Sequence, residues 1–387
     1  MESLAQRIEN GFQLAAPPRR RTIAIVAPSL EIIGGQGVQA NILAERLRSE
    51  GYEVLFVPVN PRFPGRLQRL RDHRVLRTLF NQALYLPSLL RLRKADVVHV
   101  FSASYWSFLL APVPALIAAR SFSKPVILNY HSGEAEDHLA HWGPLVHPWL
   151  RRVDEIIVPS EYLKTVFARH GYNARVIPNV VDTSRYRYRE RMPLRPHLLS
   201  TRNLDPYYRV DVTIEAFALL KSRYPEASLT VAGYGGERER LERLASSRCG
   251  SAVRFVGRVE PARMPRLYET ADIFVNSSVV DNQPLSVLEA FAAGLPVVST
   301  PTGEIANMVR HGKTGLVVPP ENPRAMAEAV AHLLKHHDDA ARLARGALQE
   351  VEKYTWPQVR DEWFSAYSGT GKLSALAPET ADTDVTL

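Results

Sequence analysis

Asp281-Asn-Gln-Pro-Leu-Ser-Val-Leu-Glu289, followed by Ala290-Phe-Ala-Ala-Gly-Leu-Pro-Val-Val298, is the stretch of the sequence that decides the fold. An apolar strand pattern over residues 272–276 lies before it, and Gly-Leu-Pro interrupts the helical pattern at its end. Pro284 suits the first turn of a helix, because the N–H that it lacks is not needed there and its φ is already helical. The stretch therefore predicts a strand, a turn, a helix and a second strand in succession.

The two carboxylates of this stretch, Asp281 and Glu289, are placed to act on one ligand. Asp281 stands at the start of the predicted helix, and Glu289 lies two turns further on, on roughly the same face. A helix start presents unpaired N–H groups and the positive end of the helix dipole, which together favour a phosphate. One carboxylate could bind a sugar hydroxyl and the other a ribose. The alternative is a helix with an acidic start and a solvated glutamate, which is the commoner meaning of such a pair in isolation.

Short apolar segments alternate with helical patterns twice along the chain. The strand candidates are residues 22–27, 53–57, 96–101, 125–130, 155–158 and 175–177 in the first series, and 197–200, 228–232, 253–256, 272–276, 296–299 and 315–318 in the second. Continuous apolar strands between helices imply parallel sheets that are covered on both faces. The predicted fold class is α/β, with two doubly wound Rossmann-like domains facing a cleft, and the ligand is expected at the carboxyl ends of the strands.

The signature stretch resembles that of retaining glycosyltransferases of the GT-B fold, in the group-1 or family 4 class. Its usual form is Glu-x7-Glu, with Leu-Glu-Ala and a Gly-Leu-Pro-Val-Val strand following. Glu289 keeps the second glutamate, whereas Asp281 shortens the first. The resemblance runs from about Ile23 to Trp363. It implies that Glu289 binds the ribose hydroxyls of a nucleotide sugar and that Asp281 binds the hydroxyls of the sugar.

The chain divides at the charged, irregular segment 186–196. With the resemblance, the expected parts are a flexible N terminus (1–20), an N-terminal Rossmann-like acceptor domain (21–190), a C-terminal Rossmann-like domain for the nucleotide-sugar donor (191–352), a helix that crosses back to the first domain (353–368) and a disordered tail (369–387). The ends are expected to be loosely ordered, as chain termini often are.

Two candidate sites fall in the N-terminal half. Gly34 and Gly35 follow the first strand, where glycines let backbone N–H groups approach a phosphate closely. Such a turn alone is a weak signal, but the resemblance places it opposite the donor diphosphate and the acceptor. His131 follows the strand that ends at Tyr130, so it faces the expected cleft. The class has a histidine there, which implies that His131 binds the donor hexose.

The remaining candidates fall in the C-terminal half. Arg202 corresponds to the arginine that the family directs at the diphosphate. The lysine that usually follows it is missing, and Arg209 is the nearest cation, although a guanidinium binds phosphate in a planar fork rather than as a point charge. Gly233 lies in a turn like the family's Gly-Asp-Gly-Pro-Glu, and Phe255-Val-Gly-Arg-Val259 resembles the family's strand whose exit contacts the nucleobase, which implies that Val259 lies beside the base. Backbone groups of the signature turn are expected to bind sugar or phosphate at Asn282, Gln283, Pro284, Leu285 and Ser286.

A basic stretch from Arg62 to Lys94 carries nine Lys and Arg residues against the single acid Asp72, with apolar residues between them. One interpretation is a helix pair that lies on an anionic membrane surface. The other is an amphipathic helix that packs its apolar face on the sheet and leaves its arginines in water. Nucleic acid is not expected as a partner, because the stretch lacks a helix-turn-helix, zinc or RNP-type context.

Composition limits the remaining function classes. With 387 residues and 45% hydrophobic content, the chain can form two full cores, and its formal net charge is +8. A single cysteine excludes a disulfide framework and a cysteine metal cluster. No signal peptide is visible, and the uncharged residues 101–119 contain two prolines, so neither predicts membrane insertion. The expected location is the cytoplasm, with peripheral contact to the inner face of the plasma membrane.

The sequence thus predicts a retaining hexosyltransferase that uses a nucleotide diphosphate sugar and a hydroxyl acceptor. The acceptor would be lipid-linked or a polysaccharide precursor, as in envelope or exopolysaccharide assembly. No cofactor and no metal are expected, because the only Asp-x-Asp is Asp382-Thr-Asp384 in the acidic tail. The alternatives are a GT-B sugar-nucleotide epimerase or phosphorolytic enzyme, and a non-catalytic module that binds nucleotide sugars.

Overall fold

The strands form two parallel sheets. The computed structural model describes residues 21–29, 34–63, 65 and 73–369, and within them each sheet has six strands. The first sheet has the order β2-β1-β3-β4-β5-β6 and consists of β1 (Thr22–Ala27), β2 (Glu53–Pro58), β3 (Val97–Ser102), β4 (Val126–Tyr130), β5 (Glu155–Val158) and β6 (Arg175–Val176). The second has the order β12-β11-β10-β7-β8-β9 and consists of β7 (His197–Ser200), β8 (Ser228–Ala232), β9 (Val253–Gly257), β10 (Ile273–Asn276), β11 (Val297–Ser299) and β12 (Leu316–Val317).

Helices connect the strands and cover both faces of each sheet. In the N-terminal half they are α1 (Gly35–Ser49), α2 (Arg74–Ser88), α3 (Tyr105–Leu110), α4 (Pro112–Ser121), α5 (Ala135–His141), α6 (Gly143–Leu150) and α7 (Glu161–Arg169). In the C-terminal half they are α8 (Val210–Lys221), α9 (Arg238–Cys249), α10 (Met264–Thr270), α11 (Leu285–Ala292), α12 (Ile305–Met308), α13 (Pro323–Lys335), α14 (His337–Val351) and α15 (Trp356–Ser368). This arrangement confirms the predicted fold class.

Each sheet is buried on both faces, which is why its strands are apolar almost throughout. All six residues of β1 are buried, with Ala24 and Val26 in one apolar cluster and Ile23 and Ile25 in another. Alternate residues of a strand point to opposite faces, so the two clusters lie on the two sides of the sheet. Burial on both sides requires the continuous apolar pattern from which the strands were predicted.

The last helix, α15, packs on the first sheet although it follows the second domain. The indole N–H of Trp356 donates to Glu50 at 2.8 Å, and the Tyr367 hydroxyl lies 2.7 Å from Nδ1 of His99. Arg21 donates to the backbone carbonyl of Tyr367 at 2.5 Å. The end of the chain therefore ties the second domain to the first.

Some predicted features differ from the structure or lie outside its described part. The helix α1 begins at Gly35, so the glycines that were predicted to form a turn after the first strand belong to the start of the helix. In the basic stretch, α2 continues into a 3-10 segment at Leu89–Lys94, whereas residues 64 and 66–72 lie outside the described residues. The predicted flexible N terminus and all but the first residue of the predicted tail also lie outside them.

Candidate functional site

A cleft of about 330 Å³ lies between the two sheets, at the carboxyl ends of their strands. It is lined from the first domain by the turn after β1 and the loop after β4, and from the second by the loops after β7, β8, β9 and β10. The predicted residues that line it are Gly34, Gly35, His131, Arg202, Gly233, Val259, Asp281, Asn282, Gln283, Pro284, Leu285, Ser286 and Glu289. The structure thus brings nearly all of the predicted site residues to one place.

Arg209 is the exception, since the residues that line the cleft do not include it, and its role in place of the missing lysine stays a prediction. A 3-10 turn at Pro206–Tyr208 directs Tyr207 and Tyr208 to the cleft, and Arg209 follows in the left-handed conformation with φ 48°. Its guanidinium pairs with Asp211 at 3.1 Å and with Glu321, away from the cleft lining. The turn therefore places tyrosines, and not a second cation, beside Arg202.

The signature helix begins one residue later than predicted. Pro284 has ψ 123° and precedes α11, so it ends the turn and does not form the first helical residue. The first N–H groups of the helix are consequently those of Leu285 and Ser286, and both residues line the cleft. N–H groups in the first turn have no partner within the helix, so they are available to an anion.

Glu289 lies in the cleft wall between two tyrosines that the sequence analysis missed. The Tyr186 hydroxyl donates to one carboxylate oxygen at 2.6 Å, and the Tyr268 hydroxyl donates to the other at 2.7 Å. Burial raises the pKa of Glu289, and the two hydrogen bonds partly offset that rise. Each carboxylate oxygen keeps acceptor capacity beyond one hydrogen bond. The tyrosines therefore orient Glu289 and leave it able to accept hydroxyl groups of a ligand.

Arg202 and Asp281 form an ion pair at the centre of the cleft. The Nη2 atom of Arg202 lies 2.6 Å from Oδ2 of Asp281, and each side chain is only 9% exposed. Nη1 of Arg202 donates to the Ser286 hydroxyl at 3.0 Å, and the guanidinium lies 4.1 Å from the centre of the Tyr208 ring. Arg202, which is expected to bind the diphosphate, is therefore paired with Asp281, which is expected to bind the sugar.

His131 lies half-buried in the wall that the first domain contributes. Its ring stacks on Phe101 with 5.1 Å between centroids, and its backbone N–H donates to the carbonyl of Ser102. Burial lowers the pKa of His131 to about 3, so the ring is neutral near pH 7. The Nε2 atom is buried and has no hydrogen-bond partner among the described residues. A neutral ring with a vacant nitrogen suits a hydrogen bond to a hydroxyl group.

The two domains touch at the signature turn. The Ser160 hydroxyl donates to the side-chain oxygen of Asn282 at 2.5 Å, and the amide of Asn282 donates to the carbonyl of His131 at 3.4 Å. Gly133 of the first domain lies against the backbone of Asp281, since a Cβ atom on Gly133 would be only 2.9 Å from that backbone. Gly303 approaches the same peptide from the other side with φ 55°. Asp281 is thus fixed between glycines of the two domains.

Gln283 connects the turn to the segment between the domains. Its side-chain oxygen accepts from the N–H of Asn179 at 2.6 Å, and its backbone carbonyl accepts from the Asn179 amide at 3.0 Å. Asn179 belongs to the segment Pro178-Asn-Val-Val-Asp182 and lies 104 residues before Gln283 in the chain. Contacts of this kind join residues that are remote in sequence, so only the folded chain displays them.

Family models match both halves of the chain. The model for glycosyltransferase family 4 matches residues 33–185, and the model for group 1 glycosyl transferases matches residues 195–336. Two proteins of Mycobacterium tuberculosis align with most of the chain. Its glycogen synthase is 29% identical over 290 residues, which cover 71% of this chain and 69% of that protein. Its GDP-mannose-dependent alpha-(1-6)-phosphatidylinositol monomannoside mannosyltransferase is 27% identical over 382 residues, which cover 88% and 92%.

Solved structures share the fold. Sucrose-phosphate synthase from Thermosynechococcus elongatus superimposes with a TM-score of 0.74 at 20% identity, over 91% of this chain and 99% of that one. Anabaena HepE in complex with UDP-glucose superimposes with a TM-score of 0.69 at 17% identity, over 90% and 99%. The chain therefore consists of a family 4 glycosyltransferase domain followed by a group 1 glycosyltransferase domain, and it belongs to the glycosyltransferases of the GT-B fold.

Proposed function

We propose that the protein is a retaining hexosyltransferase, which moves a hexose from a nucleotide diphosphate sugar to a hydroxyl group. The observation that carries this proposal is the convergence of Arg202, Asp281, Glu289 and His131 on one cleft at the carboxyl ends of both sheets. Carboxylates that accept from hydroxyls, a cation for phosphate and a neutral histidine match the chemical groups of a nucleotide sugar.

The roles that we propose are those that the resemblance to the family implies, and the presence of these residues in one cleft supports them. Glu289 binds the ribose hydroxyls, with its carboxylate oriented by Tyr186 and Tyr268. Arg202 and the N–H groups at the start of α11 bind the diphosphate, and His131 binds the hexose from the opposite wall. Asp281 binds hydroxyls of the hexose. The nucleobase lies at the far end of the cleft, beside Gly233 and Val259.

In the proposed reaction, the bond between the anomeric carbon and the diphosphate breaks as the acceptor oxygen attacks from the same face. The acceptor proton passes to the departing phosphate oxygen, so no nucleophile of the protein takes part and the anomeric configuration is retained. Negative charge grows on the diphosphate during this step. Donors that are placed in advance, here Arg202 and the first N–H groups of α11, stabilise such charge in the transition state. We include independence of metal ions in the proposal.

Ligand-binding experiments can identify the nucleobase of the donor, because the relatives and structural neighbours use or bind different nucleotide sugars. The mycobacterial mannosyltransferase is GDP-mannose-dependent, and the HepE structure contains UDP-glucose. We expect one of UDP, GDP or ADP, each at millimolar concentration, to raise the melting temperature of the protein. A ligand at about 100 times its Kd stabilises the native state by roughly 2.7 kcal/mol. Inorganic phosphate at the same concentration serves as the control, and no shift with any nucleotide would contradict the proposed donor class.

We also propose that the acceptor is lipid-linked and that the first domain lies on an anionic membrane surface. The helix α2 and the 3-10 segment after it expose apolar side chains along one side, with Val75, Leu79 and Leu90 between 62% and 72% exposed. The opposite side is anchored, since the Tyr85 ring is buried and its hydroxyl donates to the carbonyl of Ala111 at 2.7 Å. The element thus packs one side on the domain and exposes the other, and this exposed apolar side supports the proposed membrane contact.

Charge favours an anionic lipid surface as the partner of this exposed side. The basic residues among the described part of the stretch are exposed at Arg77, Arg91, Arg93 and Lys94, and no acid lies between residues 73 and 94. Basic residues next to an apolar helix face bind anionic headgroups with about 1 kcal/mol each. Among the described helices, none combines the length and the apolar content that a membrane crossing needs. The proposed contact is accordingly one on the surface of the bilayer.

Vesicle sedimentation tests the membrane contact. We expect the protein to bind vesicles that contain phosphatidylglycerol and to bind pure phosphatidylcholine vesicles much less. Replacing Arg91 and Arg93 by glutamine should weaken binding by about 2 kcal/mol, or roughly thirtyfold. Replacing Leu79 and Leu90 by serine should weaken binding more strongly still, because two of the most exposed apolar side chains of this surface are then lost. The matched control is Leu219→Ser, since Leu219 is an exposed leucine (45%) in the second domain. An equal loss in that control would contradict a specific surface.

A further inference from the structure

The arginine at the centre of the cleft already has an anionic partner before any donor is present. Oδ2 of Asp281 lies 2.6 Å from Nη2 of Arg202, and Asp281 belongs to the signature turn, 79 residues further along the chain. The guanidinium is also in contact with the Ser286 hydroxyl and the Tyr208 ring. Its Nε atom is buried without a hydrogen-bond partner among the described residues. Nη2 of Arg202 is therefore paired with an anion, whereas Nε is left without a hydrogen bond.

A donor diphosphate that reaches Arg202 has to compete with this carboxylate. Both groups are acceptors of the same N–H donors, and two anions cannot occupy one edge of a guanidinium at hydrogen-bond distance. The Asp281 carboxylate would also repel a diphosphate that came close to it, and repulsion is strong where both groups are nearly excluded from water. The pair is more than a surface contact, because each side chain is only 9% exposed.

On the basis of the function proposed above, we propose that the donor diphosphate displaces the Asp281 carboxylate from Arg202 when the donor binds. This exchange frees Asp281 to bind the sugar. In this scheme Asp281 opposes the binding of a bare nucleoside diphosphate. When a nucleotide sugar binds, the displaced carboxylate accepts a hydrogen bond from a sugar hydroxyl. This hydrogen bond offsets the cost of breaking the contact between Asp281 and Arg202. Asp281 thereby favours the sugar-bearing donor over the nucleoside diphosphate product, which carries no sugar for it to bind.

The position of Asp281 lets this exchange occur without unfolding the turn. The backbone of Asp281 is confined by Gly133 and Gly303, and Oδ1 accepts from the N–H of Asn282 at 3.0 Å. The neighbouring side chain of Asn282 bonds to the first domain through Ser160. A rotation of the Asp281 side chain is therefore enough to release Nη2 of Arg202, while the backbone and the contact between the domains persist.

Asp281→Asn provides the test, because the amide keeps the size of the side chain and an oxygen that can accept from Asn282. We expect titration calorimetry to give a nucleoside diphosphate affinity about tenfold tighter for D281N than for the wild-type chain, since a charge-assisted competitor has been replaced by a neutral one. Affinity for the unphosphorylated nucleoside, tested by competition, should not change. Affinity for the nucleotide sugar should rise less than that for the diphosphate, and sugar transfer should fall.

Two controls separate charge from general damage. Asp211→Asn makes the same chemical change at another aspartate that pairs with an arginine, Arg209, at a place that does not line the cleft, and it should leave nucleotide affinity unchanged. Asp281→Glu keeps the charge and should not tighten binding; equal tightening in this variant would overturn the inference. Melting temperatures without ligand show that each variant is folded.

The outcomes also separate this inference from the function on which it rests. Equal or weaker diphosphate binding by D281N, with normal binding by the wild-type chain, would overturn the exchange alone. Absence of nucleotide binding in both proteins would overturn the exchange and the proposed function together.

Discussion

Glu289→Gln is expected to lower kcat/KM for sugar transfer roughly a thousandfold while the protein stays folded. Two hydrogen bonds from ribose hydroxyls to a carboxylate contribute about 3 to 6 kcal/mol in total, and each 1.36 kcal/mol is a factor of ten in rate. The amide keeps the shape of the side chain, and its oxygen and N–H groups can still bond to the hydroxyls of Tyr186 and Tyr268. Glutamine therefore isolates the loss of the charge better than alanine, which would leave both tyrosines without their partner.

The measurement is initial-rate kinetics with the donor identified by thermal shift, together with the melting temperature of each variant. Glu350→Gln is the matched control. Glu350 is also a buried carboxylate, but it pairs with Arg310 at 2.7 Å and Lys353 at 2.9 Å and does not line the cleft. We expect Glu350→Gln to affect stability and to leave kcat/KM within a few-fold of the wild-type value. Unchanged transfer by a folded Glu289→Gln variant would refute the role of Glu289.

The second large effect is loss of stability in mild acid, caused by two histidines of the first domain. His99 lies between Phe101 and Trp363, at 4.8 and 5.2 Å between ring centroids. Burial, with a smaller contribution from His131, lowers the pKa of His99 from 6.5 to about 3. Burial lowers the pKa of His131 to about 3 as well. Both rings therefore stay neutral in the folded protein at a pH at which they are protonated in the unfolded chain.

The sign of the effect follows from proton binding. Below about pH 6.5 the unfolded chain binds a proton at each histidine and the folded protein does not, so acid favours unfolding until about pH 3. Each histidine contributes a slope of about 1.4 kcal/mol per pH unit, and the two together lower the free energy of unfolding by about 5 kcal/mol between pH 6 and pH 4. A change of this size is comparable to the whole stability of many domains.

Urea unfolding at several pH values measures this slope. His131→Gln should reduce it by about 1.4 kcal/mol per pH unit, because this histidine no longer takes up a proton on unfolding. His73→Gln is the control, since His73 is exposed at the start of α2 and should leave the slope unchanged. A free energy of unfolding that does not vary between pH 6 and pH 4 would contradict the neutral state of these histidines.

The comparison of sequence and structure is clearest at the signature stretch. The strand before it, the helix within it and the strand after it are where their local patterns predict them, with the helix displaced by one residue at Pro284. Local patterns succeed here because burial on both faces of a sheet demands uninterrupted apolar residues, and a βα turn places polar residues at the carboxyl edge. The location of the cleft follows from that geometry and does not depend on which hydrogen bonds the polar residues form.

The direction of the Arg209 side chain could not be predicted from local sequence patterns. Spacing alone makes it the nearest substitute for a missing lysine, but a left-handed residue after a 3-10 turn directs its guanidinium to Asp211 and Glu321. The sequence analysis also missed Tyr186 and Tyr268, because tyrosines in a linker and a helix carry no pattern that distinguishes a partner of a carboxylate from an ordinary core residue.

The sequence by itself determined the α/β class and the two sheets, since these depend on the periodicity of apolar residues, and its resemblance to a known family indicated the site residues, all of which except Arg209 line the cleft. Only the tertiary structure decided the pairings within the cleft. Arg202 with Asp281 is a contact across 79 residues, and Tyr186 with Glu289 is one across 103. The physical reason is that periodicity acts over a few neighbouring residues, whereas a hydrogen bond depends on tenths of an ångström between atoms that only the packed sheets and helices bring together.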